Sequence, residues 1–431
     1  MKTFAIHTLG CKVNSYESEA YIERCNELGY EQVDFKSASD LYLINTCAVT
    51  NTAASKSRQK IHQAISQNPN AYVAVLGCYS QSQADSLFEM KEVDAVVGSD
   101  QKDRFLKELP DLIEQRKRIN YVHDLKQPIP FEDLNIQRFT RHTRAFLKIQ
   151  DGCNQFCSYC IIPYTRGRER SLELERAFEL AKKFVENGHH EIVLSGIHTG
   201  RYGHDHNTNL VALLKKLLEI HGLDRIRISS IEMNEVTDEF IALMKENPRI
   251  ARHLHIPVQS CSDTVLKRMN RPYDMKAFIK RIQQIRSMLG NISISTDIIT
   301  GFPEESDEEF EESLQNLEKI QFSFMHVFPY SKRDNTVASQ MKQIHGTIKK
   351  QRAHTLNELS ASYKKRYYES WINEKCQVLV ETCNHGLCHG YTSEYIPVTF
   401  EGNEQFIGKC VEIRILRISV DGCEGVMEVS R

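Results

Sequence analysis

Several common features are missing from this sequence of 431 residues. It contains no stretch of about 18 consecutive apolar residues, which excludes a membrane-spanning helix. Its first residues include no apolar segment followed by a small-residue cleavage site, so we expect a cytoplasmic protein with no membrane partner. The formal net charge is only −2, so the overall charge does not indicate nucleic-acid binding and local charge has to be considered. Neither an internal repeat across domains nor a low-complexity tract is present.

Cysteine, in contrast, is abundant. The chain has 13 cysteines, an odd number, in a long sequence without an export signal. A reducing compartment keeps thiols free, so the composition favours metal binding over a disulfide framework.

Three of the cysteines form a short loop after the apolar run 145–150. Cys153, Cys157 and Cys160 have the spacing C-x3-C-x2-C. Three sulfurs can each hold one iron of a cubane cluster and leave the fourth iron open to a small molecule, whereas a cluster used only for electron transfer normally has a fourth Cys. A zinc knuckle is the alternative, but the nearest possible fourth ligand, His142, precedes the strand.

The first part of the chain alternates short apolar runs with helical patterns. This pattern predicts an open parallel α/β domain over residues 1–112. Three predicted strands end at Cys11, Cys47 and Cys78. Because the carboxyl ends of parallel strands share one edge of a sheet, we expect these thiols to converge and to hold a second metal cluster. The alternative is that each is a small core residue.

Two further domains follow a connector over about residues 111–140. Six strand-and-helix repeats predict a partial (β/α)6 barrel within residues 138–369, with its site at the carboxyl ends of the strands. Its last element is predicted as one long helix from Met341 to Glu369. Short β-rich runs with glycine turns predict a small β-barrel over residues 371–431, a fold that often binds oligonucleotides.

Combined with this domain order, the cysteine motifs resemble a known family. The loop at Cys153 resembles the radical-SAM superfamily, and the three-part order resembles the methylthiotransferases of the MiaB, RimO and MtaB type. Segments 11–14, 45–50 and 77–79 carry the resemblance, with supporting segments 162–168, 255–260, 296–303 and 326–331. The last module resembles the family's TRAM domain, and segments 7–15 and 195–203 resemble the MtaB branch. Two residues depart from the family pattern, Cys261 and Glu304, where glycine is usual.

The resemblance implies methylthiolation of C2 of N6-threonylcarbamoyladenosine at position 37 of tRNA. It implies two [4Fe-4S] clusters, on Cys153, Cys157 and Cys160 and on Cys11, Cys47 and Cys78, and two molecules of S-adenosylmethionine (SAM). The candidate SAM contacts are Ser195, Gly196, Ser230 and Glu232; no catalytic side chain is predicted. The implied partners are the tRNA anticodon stem-loop, an electron donor such as flavodoxin or ferredoxin, and a sulfur donor.

Three alternatives to this function stay open. The substrate could be isopentenyl-adenosine 37, or an aspartate of a ribosomal protein. Outside enzymes, the chain could be a zinc-dependent RNA-binding protein. The turn from Cys383 to His389 also contains possible zinc ligands, but its spacing lacks the ligand pairs of a zinc finger, and the family that the chain resembles does not use metal there.

Local charge predicts where RNA binds. The last module carries five basic and nine acidic residues, whereas residues 341–369 carry seven basic and two acidic ones. Because RNA binding needs cations near phosphates, we expect the RNA to lie across the barrel mouth and the long helix. A carboxylate on the substrate base also requires a cation, and Arg166, Arg168 and Arg201 are the candidates.

Overall fold

The computed structural model describes residues 2–139 and 142–428. Met1 and residues 429–431 of the predicted first and last domains lie outside the described residues. Within the described ranges, no helix is both long and apolar enough to cross a membrane.

The first domain is a six-stranded, all-parallel sheet. Its central strands are buried along their whole length, as expected of a parallel sheet with helices on both faces. The strand order is β2-β1-β3-β4-β5-β6. The strands are β1 (Thr3–Thr8), β2 (Glu31–Gln32), β3 (Leu41–Thr46), β4 (Tyr72–Gly77), β5 (Ala95–Val97) and β6 (Ile119–Tyr121), and the helices are α1 (Lys12–Glu27), α2 (Asn51–Gln67), α3 (Cys78–Ser82), α4 (Ala84–Phe88) and α5 (Lys102–Glu114).

The predicted connector is partly wrong. Residues 111–114 continue α5, which contains Pro110, and β6 pairs in parallel with β5 as an edge strand of the first sheet. A strand of three residues is too short to show the alternation of apolar and polar residues by which a strand is recognised in a sequence. Strand β6 is identified only by its pairing with β5. The sheet therefore extends beyond the predicted boundary at residue 112.

The second domain is the predicted partial barrel of six parallel strands. Its two three-stranded sheets, β11-β10-β7 and β12-β13-β14, are joined by parallel bridges from Ile226 to Ile250 and from Ser230 to His255. The elements are β7 (Ala145–Lys148), β8 (Gln150–Asp151), α6 (Ile162–Arg166), β9 (Arg170–Ser171), α7 (Leu174–Glu186), β10 (Glu191–Ser195), α8 (Leu210–Leu217), β11 (Arg225–Ile228), α9 (Asp238–Glu246), β12 (His253–His255), α10 (Asp263–Arg268), α11 (Met275–Leu289), β13 (Ser293–Thr300), α12 (Asp307–Ile320) and β14 (Phe324–Pro329).

The long helix that follows the barrel, α13 (Gly346–Glu369), begins five residues later than predicted. The His345 side chain accepts a hydrogen bond from the Thr347 amide and caps its first turn, so residues 341–345 lie outside the helix. Lys342 is therefore not one of the helical cations.

The last domain is a closed five-stranded barrel, in the order β15-β16-β17-β19-β18. The strands are β15 (Lys375–Asn384), β16 (Leu387–Thr392), β17 (Pro397–Glu401), β18 (Cys410–Ser419) and β19 (Gly422–Met427). Cys383 and Cys388 face each other across the β15–β16 hairpin and form a disulfide. The two sulfurs are therefore not available to zinc, and the expectation of free thiols fails at this pair.

One hydrophobic core links the first two domains. It runs from Tyr16 and Tyr21 on α1, through Phe139, to Phe146 on β7 and Phe184 on α7. This packing fixes the edge of the first sheet against the barrel.

Candidate active site

The three cysteines of the first domain lie at one edge of its sheet. Cys11 precedes α1, Cys47 follows β3 and Cys78 begins α3, and β1, β3 and β4 are adjacent. Gly10, with φ +107°, allows the close approach, since a methyl group there would lie 3.2 Å from Cys47 Sγ. The structure thus brings together the thiols that the sequence predicted to converge; their role as cluster ligands stays a prediction.

Loss of solvation changes the acid–base properties of two of these thiols. It raises the pKa of Cys11, and together with the nearby Cys78 it raises the pKa of Cys47 to about 11. A buried thiol is therefore protonated until a metal displaces the proton.

A buried arginine adjoins this group of sulfurs. Arg166 Nε donates a hydrogen bond to Cys78 Sγ over 3.2 Å, and its other nitrogens donate to Glu17 Oε1 and Asn14 Oδ1 over 2.7 Å each. Asn14 Oδ1 in turn lies 3.9 Å from Cys11 Sγ. A guanidinium in this place stabilises negative charge on sulfur, as partners outside the ligand set do in metal sites.

The second group of sulfurs is the loop that follows β8. Cys153 Sγ lies 3.5 Å from His198 Nδ1, and Cys157 Sγ lies 3.5 Å from Arg271 Nη1. Burial raises the pKa of Cys160 to about 12, and the neighbouring Cys157 adds to this effect. Each group offers three sulfurs and a cation beside them, which suits an iron–sulfur cluster with one iron left open.

His198 and Arg271 were not predicted as site residues. His198 Nε2 lies 2.7 Å from Glu235 Oε1. Although burial favours the neutral ring, its bonds to Cys153 and Glu235 raise the pKa of His198 to about 10. His198 falls within the family-like segment 195–203, which could have drawn attention to it, whereas no sequence pattern marks Arg271.

The four predicted SAM contacts occupy the ends of β10 and β11. Gly196 packs on Gln150, where a methyl group would lie 3.0 Å from Gln150 Cβ. Glu232 accepts a hydrogen bond from Arg271 and is thus connected to the loop of Cys157. Ser195 is buried and donates to the Val193 carbonyl, while Ser230 is exposed. The structure brings Glu232 to the sulfurs, and contact of the four residues with SAM stays a prediction.

A cavity of about 250 Å³ is lined by residues of the first domain and of the barrel, among them Cys160 of the second cysteine group. One wall is Val49 and Thr50, which follow Cys47; another includes Cys160; and Asp297 and Phe328 come from the barrel strands. Much of the lining is apolar. A planar base in this cavity would lie against Cys160 and against the residues that follow Cys47.

The residues that depart from the family pattern have separate local roles. Cys261 is completely buried in the core, and its carbonyl accepts a hydrogen bond from Asn316. Glu304 is exposed and has φ +64°, a left-handed conformation that glycine adopts without strain. This backbone conformation would explain the glycine that the family pattern has at this position.

The arginines predicted to meet a substrate carboxylate are already engaged. Arg166 is fully buried against Glu17 and Asp151. Arg201 makes two bonds to Glu169, and Arg168 lies 4.9 Å above the Phe156 ring. Arg166 cannot bind the carboxylate of a substrate without losing the carboxylates of Glu17 and Asp151. The prediction that Arg166 binds the substrate carboxylate is therefore wrong.

The barrel and its three-cysteine loop together define a radical-SAM enzyme. Residues 147–317 match the radical SAM superfamily, residues 3–98 match the uncharacterized protein family UPF0004 and residues 370–419 match the TRAM domain. A radical SAM methyltransferase, TsrM of Kitasatospora setae, solved with cobalamin and a [4Fe-4S] cluster, has a similar fold (TM-score 0.57, 13% identity, 79% of this chain and 77% of that one).

Relatives of known name define the family more closely. Threonylcarbamoyladenosine tRNA methylthiotransferase MtaB of Bacillus subtilis is 43% identical over 99% of this chain and 96% of its own. The protein of the same name from Aquifex aeolicus is 37% identical, over 95% and 99%. A tRNA-2-methylthio-N(6)-dimethylallyladenosine synthase of Clostridium tetani is 32% identical, over 98% and 96%. The chain belongs to the radical-SAM tRNA methylthiotransferases, enzymes that use [4Fe-4S] chemistry and SAM, as the sequence motifs predicted.

Proposed function

We propose that this enzyme replaces the C2 hydrogen of N6-threonylcarbamoyladenosine at position 37 of tRNA with a methylthio group. The cavity lined by Cys160 and by Val49 and Thr50, which follow Cys47, is the observation that carries the proposal, because the base must approach a hydrogen-abstracting centre and a sulfur source in one place. The names of the more similar relatives support the choice of base. A tRNA substrate also supports a cytoplasmic location.

The cysteines have separate roles in this proposal. Cys153, Cys157 and Cys160 would hold one [4Fe-4S] cluster, and Cys11, Cys47 and Cys78 would hold a second. When bound, the clusters and two molecules of SAM would supply hydrogen abstraction, sulfur and the methyl group. An external donor, such as flavodoxin or ferredoxin, would provide electrons, and a sulfur donor would restore the sulfur used in each turnover.

The chain's own residues position and shield the reactants. Val49, Phe328 and the other apolar walls of the cavity would exclude water from a reactive carbon. Arg166 and Arg271 lie beside sulfur in the two groups and would stabilise the charge of the thiolates. Glu232, which is paired with Arg271, would face the amino group of SAM.

Helix α13 would bind the RNA backbone. Lys350 and Lys365 are exposed, and their spacing of 15 residues places them on similar faces about 22 Å apart. Lys349 and Lys364 instead lie 4.9 and 5.4 Å from the rings of Tyr330 and Tyr368. The first two lysines, rather than all four, are therefore the candidate phosphate contacts.

The substrate is tested by supplying the anaerobically reconstituted enzyme with two tRNAs, one carrying threonylcarbamoyladenosine and one carrying isopentenyl-adenosine. Mass spectrometry of the nucleosides should find the methylthio group on the first only. A Cys160→Ala variant is the control for background. Turnover of the isopentenyl RNA alone would contradict the proposed substrate.

A further inference from the structure

The segment that follows the last barrel strand, β14, contacts the first domain. We call residues 330–339 the bridge segment. Arg333 Nη1 donates a hydrogen bond to the Ala48 carbonyl over 3.3 Å, and Ser331 Oγ accepts one from the Asn51 amide over 3.0 Å. These two bonds connect the barrel to the loop between β3 and α2, which lines the cavity.

The same segment contacts the second cysteine group. The Ala338 amide donates a hydrogen bond over 2.8 Å to the carbonyl of Ser158, which directly follows Cys157. Ala338 and Tyr330 are buried in a small hydrophobic core, and Tyr159 of the cysteine loop packs against this core. The bridge segment is therefore bonded to a loop of each cysteine group.

Arg333 is the side chain that holds these contacts together on the side of the first domain. It is only 9% exposed. Its Nη2 donates to Ser331 Oγ over 2.7 Å, so the oxygen that accepts from the Asn51 amide is itself held in place. The Arg333 carbonyl accepts a hydrogen bond from the Thr336 hydroxyl over 2.6 Å, which fixes the backbone of the bridge segment. One guanidinium thus orients both Ser331 and the Ala48 carbonyl.

Neutralising a carboxylate does not explain Arg333. Within the described ranges it forms no ion pair, in contrast to Arg166, which is paired with Glu17. Its two terminal nitrogens donate to uncharged oxygens, and its Nε has no hydrogen-bond partner among the residues that the structure describes. Burial of a guanidinium without an anion costs free energy. The hydrogen bonds of Arg333 therefore indicate that it positions the loop of the first domain.

We propose that Arg333 is a positioning residue that fixes the loop after Cys47 relative to the loop of Cys157. The inference rests on the proposed function. Hydrogen abstraction depends on the second cysteine group alone, whereas sulfur delivery requires the first group to lie at the same carbon. A displacement of about 1 Å between the two loops should therefore reduce sulfur delivery much more than hydrogen abstraction.

Turnover without sulfur delivery leaves a distinct product. Cleavage of SAM with one electron from the external donor yields methionine, and the hydrogen taken from the base ends in 5′-deoxyadenosine. A base that receives no sulfur is restored by one further electron from the donor and one proton from water. Such uncoupled turnover gives 5′-deoxyadenosine without the methylthio nucleoside, so the ratio of these two products measures the coupling.

The test measures this ratio in variants of the bridge segment. Wild type, Arg333→Met, Arg333→Lys and Ser331→Ala are reconstituted anaerobically and compared, at equal iron content, on RNA that carries threonylcarbamoyladenosine. Arg249→Met is the matched control. Arg249 also donates to backbone carbonyls, those of Ile220 and Leu223, but it lies outside the bridge segment and both cysteine loops.

Arg333→Met should raise the ratio of 5′-deoxyadenosine to methylthio nucleoside about 10- to 100-fold, the cost of a misplaced reactant. Ser331→Ala should raise it less, and Arg333→Lys should restore part of the coupling, because an ammonium can still donate to the Ala48 carbonyl. Arg249→Met should keep the wild-type ratio. An unchanged ratio in Arg333→Met, or an equal rise in Arg249→Met, would overturn the proposal. Where Arg333→Met does not fold, an unchanged ratio in Ser331→Ala overturns it.

A second measurement does not depend on the substrate. Hydrogen exchange of the iron-loaded wild type, Arg333→Met and Arg249→Met is followed by mass spectrometry of peptides that contain Asn51. Because the Asn51 amide donates to Ser331, its exchange should be faster in Arg333→Met and unchanged in Arg249→Met. Equal exchange in wild type and Arg333→Met would overturn the proposal. Failure of wild type to modify the threonylcarbamoyl RNA would contradict only the proposed function.

Discussion

At the scale of single residues, Arg166 connects the two halves of the site. It is completely buried and bridges Glu17 and Asn14 of α1, Asp151 of β8 and the sulfur of Cys78. A buried charge with this many partners cannot be removed without leaving others unpaired. Its main role is therefore to hold the first cysteine group against the barrel.

Replacement of Arg166 by methionine should destabilise the protein strongly. We expect a loss of about 3–5 kcal/mol in the free energy of unfolding, because Glu17 loses a buried partner. Arg168→Met, two residues away and exposed, should change it by no more than about 0.5 kcal/mol. Urea denaturation of the metal-free variants measures both values, and equal stability of the two would contradict this role.

Glu17 should make part of the stability dependent on pH. Burial alone would raise its pKa, but Arg166, Lys102 and Lys148 lower the pKa of Glu17 to about 2 from an ordinary value of 4.5. A carboxyl group whose pKa is lowered by folding stabilises the protein above about pH 4.5, and this stabilisation is lost as the pH falls towards about 2.

The Glu17→Gln variant tests this linkage. It should be less stable than wild type near neutral pH, and the difference should shrink as the pH falls from about 4.5 towards about 2. Denaturation at several pH values in that range gives the curves. Parallel curves for variant and wild type would mean that Glu17 is not the group responsible.

The residue scale also shows where prediction from sequence stops. The positions of the six cysteines follow from spacing and from strand ends, because both are local or periodic features. The pairing of Arg166 with Glu17, 149 residues earlier, depends on how the two domains pack. No local pattern reports it, and Arg166 was therefore wrongly assigned to a substrate carboxylate.

At the scale of elements, most strands and helices of the first two domains could be predicted. Buried strands such as β3 and β4 are continuous apolar runs, and α12 begins with a Ser306–Glu309 capping box. The prediction errors concern strands that can be identified only from their pairing with neighbouring strands. Strand β6 has three residues, and β16 contains Cys388, which was interpreted as a possible ligand.

Helix α13 should contribute to RNA affinity more than the last domain does. The double variant Lys350→Glu, Lys365→Glu should bind tRNA more weakly, and each lost phosphate contact should reduce the slope of log affinity against log salt by about 0.7 to 0.9. Lys409→Glu, an exposed change in the acidic last domain, is the matched control. The affinity of each variant for tRNA is measured at several salt concentrations. An equal effect of Lys409→Glu would contradict the role of the helix.

At the scale of the whole molecule, the first domain and the barrel bring the carboxyl ends of their strands to one cavity. The carboxyl ends of the first sheet bring Cys11, Cys47 and Cys78, and the first strand of the barrel brings the loop of Cys153. The shared core between α1 and the barrel sets their separation. Methylthiolation requires both reactive centres at one base, which this packing of domains would provide.

Iron content tests the two-cluster account most directly. Anaerobic reconstitution of wild type should give about eight irons per chain, four for each set of three cysteines. Replacing Cys153, Cys157 and Cys160 by alanine should leave about four, and so should replacing Cys11, Cys47 and Cys78. Zinc in place of iron, or wild-type iron content in either triple variant, would contradict the account.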